Sequence, residues 1–232
     1  MSDVLPMTDA ASWQIAAEVC RRSPDLVIRL LHPGGGMYDC LALVHPSLGQ
    51  VAHMNRVGRL HVWARLDGRP VASGPTNIWL QFLKRDPRSV VDLMSRRIGQ
   101  SVPKRVAPTT PRVLVYRVIA TVVGMHAFAS SAWTCRSAAH DSSGMEGTFV
   151  SDALLGNFPG AAAELQRGDE EARLRRACEF WVLLRDGSPV WCLSEDGRAW
   201  TRDGRTLDLP SLYRRNRRLA PLVWGLIRDY LD

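Results

Sequence analysis

"RVLVYRVIATVVGMHAFA", residues 112–129, is the stretch on which the fold turns. Its many β-branched residues suit a buried strand. A long bent strand, or a helix in the second half, can be written with the same letters. Read as a strand, it closes an order of helix, strand, hairpin, strand, helices and strand. That order is αβββαβ, and it places the chain in the α+β class.

Towards the N-terminus the pattern is regular. "SWQIAAEVCRR", 12–22, has Trp13, Ala16, Ala17 and Cys20 on one helical face, Ser12 as a candidate N-cap, and Ser23-Pro24 as a stop. Strands are expected at 25–33 and 37–46, joined by the glycine triplet Gly34, Gly35 and Gly36. A long third strand is expected over 50–66, bulged at Gly58, with an Asp67-Gly68 hairpin leading into 69–73. Three strands with short connections make an antiparallel meander. Helical spacing follows at 76–85 and 88–99, then a proline-rich connector at 102–111.

Towards the C-terminus, residues 130–150 are small, polar and glycine-rich and read as a loop. Helical spacing returns at 161–180. Asp-Gly turns at Asp186, Asp196 and Asp203 then punctuate a β-meander. A terminal helix is expected over 210–232. The chain divides into an N-terminal α/β unit, 1–130, and a smaller C-terminal α/β lobe, 145–232. "RLDGRPV" at 65–71 echoes "LRDGSPV" at 184–190, but Asp-Gly hairpins converge on such strings without a repeat.

Composition bounds the function classes. The chain has 232 residues, 46% of them hydrophobic, enough to bury a core. No run of 18 apolar residues offers a membrane helix, and the N-terminus lacks the basic and apolar regions of a signal peptide, so the expected compartment is the cytoplasm. The cysteines Cys20, Cys40, Cys135, Cys178 and Cys192 are odd in number and widely spaced, as reduced buried thiols are. Zinc ligation by Cys135, His140, Cys178 and Cys192 would match no structural zinc spacing. The formal charge is +7, with Lys84 and Lys104 the only lysines. Such an arginine-rich surface favours polyanionic partners. The glycine triplet opens no helix and is no phosphate loop, and His140, Asp141 and Ser142 are chain neighbours that cannot converge as a catalytic triad.

Three features carry site hypotheses. Asp39 alternates with Leu41 and Leu43 on a strand that is apolar on both faces, so its carboxylate needs a partner: the glycine-turn amides, an arginine or a cation. His53, Asn55, Arg59 and His61 form a polar stripe on the third strand, either solvated or binding. "YRRNRR", 213–218, sets Arg214, Arg215, Arg217 and Arg218 together, as phosphate contacts or as partners of Asp169, Glu170 and Glu171. Trp63, Trp79, Trp181, Trp191, Trp200 and Trp224 fall at apolar positions and are expected in the core.

With Asp39 on the second strand and Glu18 on the first helix, residues 12–125 resemble the core of the PD-(D/E)XK, or restriction-endonuclease-like, family. The resemblance implies a metal-dependent nuclease in which Glu18 and Asp39 hold Mg²⁺ or Mn²⁺. The family's Glu-x-Lys is missing from the third strand, where Gln50, His53 and Asn55 are the remaining candidate ligands. The leading expectation is therefore a non-catalytic module with no cofactor. It would bind nucleic acid through Arg214, Arg215, Arg217 and Arg218, aided by Arg59, His53 and His61. The nuclease and a protein-interaction module are the alternatives, and no membrane partner is expected.

Overall fold

Residues 111–124 are a helix. In the computed structural model, which describes residues 10–31, 40–45, 49–55, 60–62, 87–98, 109–124, 133–139, 156–164 and 179–230, the deciding stretch begins inside the proline-rich connector. Thr110 caps it: its Oγ1 accepts from the Val113 N–H at 3.3 Å and its carbonyl from the Leu114 N–H at 2.9 Å. Pro111 follows in the first turn, where its missing N–H costs nothing. The helix buries nine of its fourteen residues. A helix apolar nearly all round shows no 3.6-residue stripe, and for that reason it reads as a strand.

Around it the order is α1 (Ala10–Arg22), β1 (Val27–Leu31), β2 (Cys40–His45), β3 (Gly49–Asn55), β4 (Leu60–Val62), α2 (Pro87–Ile98), α3 (Pro111–Gly124) and β5 (Trp133–Ala139). A helix α4, described over 159–164, follows, then β6 (Glu179–Arg185), β7 (Ser188–Ser194), β8 (Arg198–Thr201), β9 (Thr206–Asp208), α5 (Leu209–Asn216), α6 (Leu219–Ile227) and a 3₁₀ turn, Arg228–Tyr230. The fold is α+β, as expected. Two antiparallel meanders are formed, β1-β2-β3-β4 and β5-β6-β7-β8-β9. α1 lies along α3, and α3 also meets β5, β7, α5 and α6.

Several expectations change. The long third strand is two: β3 and β4 pair antiparallel, with His53 opposite His61. Of the expected polar stripe, His53 and His61 are thus cross-strand partners rather than residues of one strand. Residues 133–139, expected in a loop, are β5, paired with β6 from Trp133↔Arg185 to Ala139↔Glu179. Trp133, Thr134 and Cys135 are all buried, so the strand's first half is covered on both faces. The Asp67-Gly68 hairpin and the helix at 76–85 lie outside the described residues, whereas α2 buries Val90, Val91 and Met94 as its spacing predicts.

The C-terminal meander forms as read. Asp186 and Gly187 have φ of 48° and 79°, the two positive values of a tight hairpin turn. The next two turns share one design. In Ser194–Arg198 and in Thr201–Arg205, the hydroxyl bonds the aspartate two residues on, the glycine takes positive φ, and the arginine closes on the same aspartate, at 2.9 Å and 3.0 Å. Asp208 ends the last strand and caps α5: its carboxylate accepts from the Ser211 N–H at 3.1 Å and the Ser211 hydroxyl at 2.8 Å. These bonds hold its pKa below the usual carboxylate value. Asp208→Ala is expected to lower stability by about 1 kcal/mol, read as a shifted urea midpoint at unchanged slope.

One cluster of buried side chains runs through α1, α2, α3 and both sheets, with Leu222, Val223, Leu226 and Ile227 of α6 in it. Tyr116 of α3 stands between the sheets. Its hydroxyl accepts from the Ile28 N–H of β1 at 3.1 Å, and its ring meets Trp181 of β6 edge-on with centroids 5.2 Å apart.

Candidate functional site

The expected terminal helix is broken into α5 and α6, and the break falls within the arginine cluster. The cause is Pro221. In a continuous helix it would leave the Arg217 carbonyl without its i+4 donor and drive its ring against that carbonyl. Restarting the helix at Leu219 puts Pro221 in a first turn instead. The link is Arg217, at φ 49° and ψ 14°, and Arg218, extended. The Arg217 N–H closes α5 on the Tyr213 carbonyl at 2.6 Å.

Arg214, Arg215, Arg217 and Arg218 are all exposed. Among the described residues none of them forms an ion pair with a carboxylate; Arg214 donates to Ser211 Oγ at 2.9 Å. The acidic run 169–171 lies outside the described residues. The two link arginines break three local preferences. A non-glycine residue in the left-handed region costs about 1–2 kcal/mol. Arg218 N-caps α6 with no side-chain hydrogen bond. Two cations ahead of a helix also add to its positive end, where an acid would offset it.

α6 divides cleanly. Leu222, Val223, Leu226 and Ile227 are buried, while Ala220, Pro221, Trp224 and Gly225 face outward. The Trp191 indole N–H donates to the Leu226 carbonyl at 2.8 Å and fixes the helix on the sheet. Trp224 is 56% exposed, the large apolar side chain that stands out among the described residues. This corrects the expectation that it is core. Trp224 shares a face with Pro221 one turn before it and Arg228 one turn after it, and Arg217 and Arg218 precede that face. The result is an exposed indole preceded by Arg217 and Arg218 and followed by Arg228, which pairs with Asp229 at 3.2 Å. Its chemistry is that of an aromatic anchor for a chain carrying negative charge. Sequence periodicity could have separated Trp224 from the stripe Leu222, Val223, Leu226 and Ile227; hydrophobicity alone could not.

The Glu18 carboxylate is engaged elsewhere. Glu18 is on α1, two-thirds buried, bound by Arg21 at 2.5 Å and 2.6 Å and by Arg22 at 3.3 Å; Arg22 also reaches Asp92 of α2 at 2.5 Å. Burial raises its pKa, but the hydrogen bonds and charges of Arg21 and then Arg22 outweigh burial and hold the carboxyl below its ordinary value. A depressed carboxylate contributes stability above its unfolded pKa and loses it as pH falls through the folded one. Glu18→Gln is therefore expected to be about 0.5–1 kcal/mol less stable at pH 7, converging on the parent as pH falls through the lowered folded pKa, in melts recorded across pH. Asp39 and Arg59 lie outside the described residues. His53 and His61 are adjacent on β3 and β4.

With this geometry in view, comparison with known families is decisive. Residues 10–232 match the family TY-Chap2, described as "T3SS (YopN, CesT) and YbjN peptide-binding chaperone 2". The chain belongs to this family. No curated protein and no solved structure matches it. Membership in TY-Chap2 overturns the PD-(D/E)XK resemblance, since the matching family is another one and it covers nearly the whole chain. The topology agrees with the correction. The supposed closing strand is α3, both sheets are antiparallel meanders, and the Glu18 carboxylate is held by two guanidinium groups. Among the described residues no helix is long and apolar enough to cross a membrane.

Proposed function

We propose that the protein is a cytoplasmic chaperone that binds a peptide segment of a partner protein, and that an acidic segment carrying an apolar residue docks over the break between α5 and α6. Trp224 carries this reading. Its indole is 56% exposed on a helix held by its opposite face, so it is free to meet a partner as an aromatic anchor. Arg214, Arg215, Arg217 and Arg218 are exposed just ahead of that helix, and of the four only Arg214 feels a described carboxylate, that of Asp208. Locally unfavourable residues kept at one spot are a mark of function. Membership in a peptide-binding chaperone family supports a peptide over the nucleic acid that arginine content alone suggested.

Selection from a random peptide library displayed on phage, against the immobilised full chain, tests this directly. The expected winners carry Asp or Glu on either side of an aromatic or aliphatic residue, and salt elutes them. Winners that are uncharged or basic would contradict the reading.

A further inference from the structure

The sheet β5–β9 is apolar on both faces. One face joins the main core through Trp181, Leu183, Trp191, Leu193 and Ala199. The other carries a separate group: Phe180, Val182 and Leu184 of β6, Cys192 of β7 and Trp200 of β8. Among the described residues what covers it is the segment 156–164. Phe158 and Ala161 are fully buried against it. Gly160 lies so close that a Cβ there would come 2.6 Å from Trp200 Cδ1. Glu164 pairs with Arg198 of β8 at 2.8 Å.

The connectivity of this segment is unusual. β5 and β6 are antiparallel neighbours, paired to their last residues at Ala139↔Glu179. A tight turn suffices to join such strands. Instead residues 140–178 intervene, leaving and returning at the same point of the sheet, and the covering segment sits within them. None of the β5–β6 pairs involves the covering segment.

We propose that this outer face is a second peptide seat, for a short amphipathic helix with an aromatic anchor and a trailing acid, and that the chain's own segment 156–164 fills it in cis. The inference rests on the peptide-binding reading of the family but uses a different surface from Trp224. Phe158 occupies the anchor position, Gly160 permits close approach to Trp200, and Glu164 meets Arg198. A tethered segment competes at an effective concentration in the millimolar range, so a free peptide of the same pattern is excluded until the segment is displaced. The seat is thereby regulated by release of the strap.

The probe is a fluorescein-labelled peptide copying residues 156–166, GNFPGAAAELQ, titrated by anisotropy against the full chain. The opened variants are Phe158→Asp and Gly160→Val, the second wedging Trp200 while keeping Phe158. Binding at least tenfold tighter to an opened, folded variant than to the parent, and lost when the peptide's phenylalanine is aspartate, is the expected result. Equal or absent binding by both would overturn the proposal. Hydrogen exchange on the parent covers the case in which both variants misfold. The Ala162 amide, bonded to the Phe158 carbonyl at 2.9 Å, is expected to exchange at least tenfold faster than the amides of β6. Exchange only together with β6 would make the segment a permanent part of the core and end the proposal. The probe is the chain's own sequence, so a failure at Trp224 leaves this outcome untouched, and the reverse also holds.

Discussion

Tyr116→Ala is expected to lower stability by about 3–5 kcal/mol, a large part of the 5–15 kcal/mol that holds a typical domain folded. The side chain ties α3 to α1, β1 and β6. The ring lies 6.3 Å from Trp13 of α1 and 5.2 Å from Trp181 of β6, and the hydroxyl accepts from the backbone of β1. Truncation removes the aromatic contacts and leaves a cavity beside two indoles. It also strands the Ile28 N–H in a buried place. Tyr116→Phe separates the terms. It keeps the ring and loses the acceptor, which costs about 1–2 kcal/mol. Urea melts of both variants check the pair, and equal losses in the two would show that the ring packing contributes little.

Trp224→Ala is the opposite case: a small effect on folding and a large one on binding. The side chain is more than half exposed, so its removal shifts the melting temperature little. At the centre of an interface the same indole is worth about 2 kcal/mol or more, roughly a thirtyfold loss of affinity for a selected acidic peptide. Reversing Arg217 and Arg218 to glutamate should weaken binding comparably and also remove its salt dependence, because these arginines supply the attraction that salt screens. Parallel isothermal titrations at low and high salt read both effects.

Legibility in the sequence followed the periodicity of each element. The Asp-Gly turns at Asp186, Asp196 and Asp203 mark a requirement for glycine after aspartate at a reversal, and the meander they bound forms as read. α1 and α2 carry one apolar stripe each and were equally plain. α3 reads as a strand because burial on nearly every side erases the stripe. Its true signal was the cap, Thr110-Pro111, at the end of what looked like a linker. β5 was missed because Ser137, Ala138 and Ala139 resemble loop residues until β6 pairs with them. At the site, the arginine cluster was visible and its ligand was not. Guanidinium groups suit phosphate and carboxylate alike, so charge cannot choose between nucleic acid and peptide. Trp224 was counted as core because it sits in an apolar run. Its outward position is legible only in the spacing, which leaves it off the stripe Leu222, Val223, Leu226 and Ile227. The Glu18 and Asp39 hypothesis came from element order, and order failed where α3 was taken for a strand.

The central claim is that the break between α5 and α6 binds an acidic peptide through Trp224 and its arginines. The measurement that tests it most directly is a competition. A labelled acidic peptide from the selection is bound to the full chain, then displaced with unlabelled peptide or with single-stranded DNA of equal charge, in the parent and in Trp224→Ala. The account predicts that the peptide competes at least tenfold better than DNA in the parent, and that Trp224→Ala removes this advantage. DNA competing as well as or better than the peptide, with Trp224→Ala making no difference, would contradict it.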